Sequence, residues 1–431
     1  MGMVTRLAFL LALVLAAAAP GQEGFREDFR GAASLAERGW RVAAEPAVSQ
    51  WRLADDALEM TAFHAPYRGG RIEHDLPAAP AQGAIEFRVT LAVEGEQNFN
   101  HLCLAVIVGD FMTALKNYGS CTWLLHKGQG AWRTLSDHVP MRREVTFRVV
   151  YDLPARYAEF YCDNMDDPVA VDTDFHPTLQ GPLQFMNYGL CTGRVVNRIH
   201  AVSVGSEAVA GVAVSPVPRA IVFQGLDDSG PGIVKAVAQV APGITVHVYT
   251  VQTVGAAITP HNKFRLDRMP SRQRLREAEL IVLADCPLTP DVFPDFLAAN
   301  LTERVRGGGR LLITGGWFGL GKSGCRDAWL QDLLPVTLAG PWQVETLPAP
   351  VAVVGPVLTG QTLPAVTRLH RLALRDGTDA RVLLSAGELP VWGSSAYGKG
   401  RVDVLLSVPD PAAPAASTAA LYELVVGQML K

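Results

Sequence analysis

The sequence predicts a multidomain chain in which an all-β jelly-roll sandwich precedes a flavodoxin-like α/β domain. Its 431 residues are long for one domain at about 150 residues per domain. The first half has short, alternating apolar segments, whereas the second half alternates strand and helix patterns. Hydrophobic residues make up 49% of the chain and charged residues 19%, a composition typical of packed cores.

The charge balance excludes one class of partner. The chain has 38 Lys and Arg against 42 Asp and Glu, which gives a formal net charge of −4. This near balance offers no electrostatic basis for binding nucleic acid or an anionic membrane. We therefore expect no nucleic-acid partner.

The first residues are typical of a signal peptide. Arg6 precedes an apolar run over 7–15 that ends in alanines, and we expect cleavage between Ala17 and Gly21. The run is short for a membrane span, which needs about 20 apolar residues. We interpret 1–19 as a signal peptide and expect a secreted or periplasmic product with no membrane span after cleavage. An uncleaved anchor is the alternative, because Pro20 lies beside the best alanine site.

The first domain is predicted over 22–208. Its strands recur at short spacing without a helical period, which indicates a sandwich of antiparallel sheets. The predicted strands are 85–91, 101–108, 145–151, 157–161 and 199–204. A connector over 209–218 follows, in which Pro216 and Pro218 favour an extended, unpaired chain.

The second domain is predicted over 219–431. Alternating strands and helices indicate a parallel sheet with helices on both faces, and the tail indicates antiparallel edge strands. The predicted strands are 220–223, 244–249, 279–284 and 308–314, then 368–374, 381–385, 390–395 and 398–406 at the edge. The predicted helices are 232–240, 290–305 and 416–429.

The order of features in the first domain resembles the concanavalin A-like lectin and glucanase superfamily. Phe25-Arg-Glu-Asp-Phe29 precedes Trp40, and Trp51-Arg-Leu is followed by Ala57-Leu58. Trp132-Arg-Thr-Leu then precedes two strands that resemble the hairpin of the back sheet. The resemblance implies a jelly roll and a sugar ligand. A glucanase also needs two carboxylates on one strand, and the pattern Glu-x-Asp-x-x-Glu is missing.

Aromatic side chains could supply a sugar platform in this domain, with asparagines as hydrogen-bonding neighbours. The candidates are Trp123, Trp132, Tyr118 and Tyr188, with Asn98, Asn100, Asn117 and Asn187. The alternative is that these aromatic residues belong to the core, as strand Trp and Tyr more often do. Asp163, Asp166 and Asp167 lie in a turn-like segment, for which a solvated hairpin loop and calcium coordination are both open.

Three motifs in the second domain resemble the class I glutamine amidotransferase-like superfamily, and its trehalose-utilisation-type branch in particular. They are Leu312-Ile-Thr-Gly-Gly-Trp-Phe-Gly-Leu-Gly321, Leu330-Gln-Asp-Leu-Leu-Pro-Val336 and Tyr397-Gly-Lys-Gly-Arg-Val402. The resemblance implies a Cys on the turn after a strand, with a His and an acid to activate it. Here that turn holds Gly315, Gly316 and Trp317, and no His-x-Glu occurs. His370, in His-Arg-Leu, is the only histidine beyond Asn262.

The residues therefore argue against glutamine hydrolysis, and we predict no catalytic set. Cys325 lies in the glycine-rich loop after the turn, where Lys322 and Arg326 could lower the pKa of its thiol. The alternative, which we favour, is a disulfide between Cys286 and Cys325, since both follow neighbouring strands. The six cysteines show no metal-ligand spacing, so no metal is expected.

Residues 316–323 fit the phosphate-loop pattern letter for letter. A phosphate loop runs directly into a long helix, whereas Gly324 interrupts this one and Trp317 and Phe318 are bulky for a loop around an anion. We therefore expect neither nucleotide nor another cofactor.

These observations favour an exported, non-catalytic binding protein for carbohydrate or a cell-surface polymer. The alternatives are a carbohydrate-active enzyme with its site at the carboxyl edge of the parallel sheet, and a structural or partner-binding surface module. The candidate ligand-binding residues are Asp227, Asp285, Gly315, Gly316, Trp317, Tyr397, Trp123 and Trp132. We expect no thiol, imidazole and carboxylate to converge at the carboxyl edge.

Overall fold

The structure is a computed structural model that describes most of the chain. The described residues are 24–31, 33–43, 48–62, 69–94, 102–117, 121–126, 132–188, 195–205, 220–225, 229–254, 263–289, 292–316, 318–322, 331–337, 344–375, 378–410 and 416–431. The predicted signal peptide and connector lie outside them. Among the described helices, none is long and apolar enough to cross a membrane.

The chain divides into two compact units, Met1–Ala213 and Val214–Lys431. In its described part, the first unit contains strands and no helix. They are β1 Phe25–Glu27, β2 Arg41–Ala43, β3 Ser49–Ala54, β4 Ala57–Ala62, β5 Gly69–His74, β6 Gln82–Glu94, β7 Leu102–Val108, β8 Phe111–Asn117, β9 Cys121–His126, β10 Trp132–Val139, β11 Glu144–Asp152, β12 Tyr157–Cys162, β13 Ala170–Asp172, β14 Leu183–Tyr188 and β15 Val195–Gly205.

Two antiparallel sheets form this unit, as the alternating pattern predicts. One has the order β13-β12-β11-β6-β15-β4-β3, with β1 paired to β15, and the other has the order β10-β9-β8-β7-β14-β5-β2. Alternate residues of β6, namely Ile85, Phe87 and Val89, are at most 1% exposed and pack in the shared core. Phe87 faces Phe147 of β11 with ring centroids 5.1 Å apart. The predicted β-sandwich is thereby confirmed.

The second unit mixes strands and helices. Its strands are β16 Ala220–Gln224, β17 Val246–Val254, β18 Lys263–Leu266, β19 Leu280–Ala284, β20 Arg310–Thr314, β21 Val336–Thr337, β22 Val344–Val351, β23 Val353–Val354, β24 Val366–His370, β25 Ala373–Leu374, β26 Arg381–Ala386, β27 Leu389–Tyr397 and β28 Gly400–Leu405. Its helices are α1 Ser229–Val240, α2 Arg272–Glu277, α3 Asp295–Arg306 and α4 Ala416–Met429, with a π-helical turn at Phe318–Lys322.

A nine-stranded sheet organises this unit. Its order is β18-β17-β16-β19-β20-β28-β27-β26-β23, in which the five strands from β17 to β28 are parallel and the outer ones antiparallel. Both faces are buried, since Leu280 and Val282 of β19 pack in one cluster, with α1 and α4, while Ile281 and Leu283 pack in another, with α3. The parallel strands with antiparallel strands beside them agree with the predicted pattern, but β28, predicted as an antiparallel edge strand, is parallel to β20 inside the sheet. The predicted edge strand 368–374 lies outside this sheet, where β24 pairs with β22 and β25 with β21. The elements that were not predicted are α2 and the strands β18, β21, β22 and β23.

Candidate functional site

Three parallel strands end together at one edge of the second unit's sheet. Gln224 of β16 is in register with Ala284 of β19, which is in register with Thr314 of β20. The residues that follow, Asp285 and Gly315, therefore become neighbours. The sequence placed both among the candidate site residues, and the structure brings them together.

Asp285 is the buried carboxylate of this edge. It is fully buried and has a left-handed backbone with φ of 47°. Its N–H donates to Thr314 Oγ1 at 3.2 Å, and its Oδ1 accepts the N–H groups of Phe318 and Gly319, each at 2.6 Å. The carboxylate thus accepts the first two backbone N–H groups of the π-helical turn.

His370 approaches the same turn from the end of β24. Its backbone N–H donates to Leu406, and its Nε2 accepts the N–H of Gly316 at 3.1 Å, so the ring proton is on Nδ1. The side chain is fully buried, and burial lowers the pKa of the imidazole to about 4. The ring is therefore neutral at pH 7 and acts as a hydrogen-bond acceptor.

The glycine turn fits between these two side chains. A Cβ on Gly315 would lie 2.3 Å from His370 Cδ2, and a Cβ on Gly316 would lie 2.2 Å from Asp285 Oδ1. Both distances are shorter than any ordinary Cβ contact. Neither position can therefore hold a cysteine or another nucleophile unless His370 or Asp285 moves.

The backbone donors of the turn are also occupied. Gly315 donates to the carbonyl oxygen of Leu405, Gly316 to His370, and Phe318 and Gly319 to Asp285. These are the N–H groups that an oxyanion hole would direct at a reacting carbonyl. All four described donors of 315–319 instead bind acceptors of the protein itself.

The thiol of Cys286 turns away from this edge. Cys286 is 1% exposed and donates to the carbonyl oxygen of Phe223 at 3.0 Å. Cys325 lies outside the described residues, so the disulfide between them stays a prediction. The structure thus brings the imidazole of His370, which the sequence did not predict, to the turn beside the expected carboxylate of Asp285, while the described thiol of Cys286 bonds to Phe223 instead.

Tyr397 corrects one expectation about the site. An enzyme site at the carboxyl edge that includes this candidate residue needs Tyr397 near Asp285, but Tyr397 pairs with Gly400 in the hairpin of β27 and β28, at the amino edge of the parallel strands. The two edges are separated by the length of β20, about 13 Å. There Tyr397 accepts a hydrogen bond from Arg306 at 3.1 Å. Asp227 and Trp317 lie outside the described residues.

The sugar candidates of the first unit are placed only in part. Trp123 and Trp132 lie on the adjacent strands β9 and β10, in register with Ser136 and His126. Asn187 is 6% exposed and accepts the N–H of Gly70 at 3.1 Å, so it links strands of the sandwich. The side chains of Asn117 and Tyr188, like all of Asn98, Asn100 and Tyr118, lie outside the description.

The aspartates of the hairpin loop have protein partners. Asp163 pairs with Arg143 at 2.6 Å, and this guanidinium holds the pKa of the carboxyl below its usual range. Asn164 caps the same loop by accepting the N–H of Asp166 at 2.9 Å. Asp163 and Asp166 are exposed, as in a solvated hairpin loop, whereas Asp167 is buried at 3% exposure, which a solvated loop does not predict. No group of three potential metal ligands occurs among the described residues.

Comparison with known proteins gives only distant likenesses. No family model matches the chain, and no curated protein matches it either. A cytoplasmic protein from Salmonella typhimurium LT2 is 18% identical over 49% of this chain and 99% of its own, with a TM-score of 0.38. The β-glucanase of Bacillus licheniformis is 9% identical over 42% of this chain and 98% of its own, with a TM-score of 0.31.

A β-galactosidase from Rahnella sp. R3 is 16% identical, with a TM-score of 0.32. That match covers 52% of this chain, which spans only 33% of the galactosidase. The structural neighbours thus include a β-glucanase and a glycosidase. At these TM-scores the likeness carries no argument about activity.

The crowding of the turn predicts the effect of adding one methyl group. We expect Gly316→Ala to lower the free energy of unfolding by about 1 to 3 kcal/mol, because its Cβ collides with the Asp285 carboxylate. Urea unfolding of the full chain measures the change. Gly243→Ala is the control, since its Cβ meets nothing within 4 Å. Equal stabilities of the two variants would show that the turn has room for a side chain.

The buried imidazole predicts a pH dependence. The pKa of His370 is about 4 in the folded state and near 6.5 in the unfolded state. Between these values the unfolded state binds more protons than the folded state, so the free energy of unfolding falls as the pH falls. We expect the wild type to lose about 3 kcal/mol of unfolding free energy between pH 7 and pH 4, relative to His370→Gln. Parallel stability curves for the two proteins over this range would contradict the assignment.

Proposed function

We propose that the chain is an exported, non-catalytic binding protein for carbohydrate or a cell-surface polymer, with a degenerate amidotransferase-like second domain. One observation carries the loss of catalysis. The turn that holds the nucleophile in an amidotransferase is here built from Gly315 and Gly316, which are packed between Asp285 and His370. Both the space for a nucleophile and the backbone donors for an oxyanion are taken.

The strand order supports the assignment of the second domain. Numbered along the chain, its parallel strands β17, β16, β19, β20 and β28 have the order 2-1-3-4-5 of a flavodoxin-like sheet. The turn after the fourth of these strands carries the first amidotransferase-like motif. In such sheets ligands bind beyond the carboxyl ends of the strands. In this unit the side chains of Asp285 and His370 lie at that edge and pack against the glycine turn.

The proposal of a sugar ligand depends on the first domain. Its two antiparallel sheets and the order of its aromatic residues resemble the concanavalin A-like superfamily, and the glucanase carboxylate pattern is absent from its sequence. The proposed aromatic contacts are Trp123 and Trp132. Trp132 pairs with His126, three residues along β9 from Trp123, so the register places the two tryptophans on opposite faces of the sheet, and a ligand on one face meets only one of them. Export rests on the signal-like segment 1–19, which places the product in the periplasm or outside the cell.

A second candidate function is a carbohydrate-active enzyme at the carboxyl edge. The buried carboxylate of Asp285 at that edge favours it, since a carboxyl group in such a place can act as an acid or a base. Its Oδ1 accepts two backbone N–H groups, however, and these bonds favour the charged form of the carboxyl group over the protonated form that a general acid needs. A structural or partner-binding surface module is the third candidate.

A substitution of Asp285 distinguishes the binding protein from the enzyme, because the residue is structural in the first and catalytic in the second. We expect Asp285→Asn to lower the free energy of unfolding by about 2 kcal/mol, because two charge-assisted hydrogen bonds become neutral ones. Binding of the full chain on a glycan array should stay unchanged. Asp332→Asn, at an exposed carboxylate of the same unit, is the control and should change stability by less than about 0.5 kcal/mol.

The same protein should release no ammonia from glutamine and turn over no arrayed sugar. Ammonia release, or sugar turnover that disappears in Asp285→Asn but persists in Asp332→Asn, would overturn the binding function in favour of an enzyme. Absence of glycan binding together with a co-purifying protein would favour the surface module.

A further inference from the structure

The last helix of the second unit has two apolar sides. Helix α4 packs Leu421 and Val425 into the cluster on the nine-stranded sheet, where each is at most 5% exposed. On another side of the helix, Ala420, Leu424 and Gly427 recur at helical spacing and are partly exposed. A helix that is apolar on more than one side is typical of a helix that is covered on each of them.

A cavity of about 820 Å³ lies beside this second side, and we call it the α4 cleft. The end of α1 and the loop after it contribute Val240 and Ile244 to its lining, and the segment before β24 contributes Leu363. Val240 is 37% exposed. The volume is within the usual range of small-molecule sites, which is about 300 to 1,000 Å³. The apolar lining therefore suits the apolar body of a small ligand.

Gly427 leaves space in the α4 cleft. It lies in the last turn of α4, where glycine is less favourable than alanine. A Cβ at this position would lie 3.4 Å from Val240 Cγ1, which is an ordinary van der Waals contact. Packing between the helices therefore does not require a glycine here, and the missing side chain adds to the volume open to a ligand.

The charged groups of the α4 cleft are two carboxylates and one ammonium. Glu279 and Glu423 line it with Lys431, the one basic side chain among the described lining residues. Glu279 already interacts with another group of the protein. Glu423 forms no hydrogen bond or ion pair with any described residue, and it lies one helical turn before Gly427. A cation in the cleft would therefore meet an unpaired carboxylate beside the apolar lining.

Neutral polar groups add acceptors to this carboxylate. Thr359 and Thr362 are exposed on the segment before β24, and Gln428 is partly exposed on α4. An ammonium group donates three hydrogen bonds, which a carboxylate can share with hydroxyl and amide oxygens. An anion would find one cation there, the exposed Lys431, and a nearby negative charge that repels it. The charges thus favour a cationic ligand over an anionic one.

We propose that the α4 cleft binds an amphipathic cation, a small molecule with an apolar body and a protonated amine. The apolar body packs on Val240, Ile244 and Leu424, and the amine donates to Glu423. This site goes beyond the proposed function, because it involves neither the glycine turn nor the sandwich.

Calorimetric titration of the full chain at low ionic strength tests the ligand class. The probes are tryptamine, tryptophol and indole-3-acetate, which share an indole ring and differ in carrying an ammonium, a hydroxyl or a carboxylate group. We expect tryptamine to bind at least about fivefold more tightly than tryptophol, because its hydrogen bond to Glu423 is charge-assisted, and indole-3-acetate to bind most weakly. Equal affinities of the three probes, or no binding of tryptamine, would overturn the proposal.

Two substitutions of opposite charge and one distant control locate the amine. Glu423→Gln should weaken tryptamine about fivefold, to the affinity of tryptophol, and leave tryptophol unchanged. Lys431→Gln, in the same cleft, should preserve the preference for tryptamine. Glu388→Gln is the control, because Glu388 is exposed in the turn between β26 and β27 and does not line the cleft. Unchanged tryptamine affinity in Glu423→Gln, or an equal loss in Glu388→Gln, would contradict the assignment.

Filling the α4 cleft tests its position independently of charge. Gly427→Leu should weaken tryptamine and tryptophol alike by at least about tenfold, since the leucine side chain takes volume from the ligand, while circular dichroism shows a folded protein. Undiminished binding of both probes by the folded variant would show that they bind elsewhere. If Gly427→Leu does not fold, Glu423→Gln decides the matter, because Glu423 is partly exposed and its replacement has the same shape.

Discussion

The packing of Gly315 and Gly316 between Asp285 and His370 is the constraint on which the second unit depends. The register of three parallel strands brings Asp285 beside the turn, and the end of β24 brings His370 to its other side. With a fully buried side chain on each flank, the turn accepts only glycine. The backbone donors that remain would be costly to bury alone, and the two side chains satisfy them.

Much of this edge follows from local pattern. Asp285 and the glycines could be predicted to meet, because each follows a buried strand and parallel strands end at a common edge. His370 could not, because it reaches the turn through an antiparallel pair with Val344 and a hydrogen bond to Leu406. Tyr397 was misplaced for a related reason, since a motif shows that a hairpin exists but not at which edge of the sheet it turns.

In the sandwich, too, some features follow from the sequence of one strand and others depend on how distant strands pair. Alternation along β6 and β11 predicts which residues enter the core, and the structure confirms that pattern. From the pattern of one strand alone, the residues that face outward are predicted only to be exposed to solvent. Only the register across four strands places Arg26, Glu86 and Arg148 in one row, and neither composition nor spacing encodes that register.

The two units use charged side chains in opposite ways. At the glycine turn, the carboxylate of Asp285 accepts the N–H groups of Phe318 and Gly319, so these two donors are satisfied without a ligand. On the outer face of the sandwich, the Nε of the buried Arg148 lies 3.9 Å from a carboxylate oxygen of Glu86, and the exposed Arg26 lies further along the same row. The occupied donors at the glycine turn thus support the proposal that carbohydrate recognition lies in the sandwich and that the second unit is not catalytic.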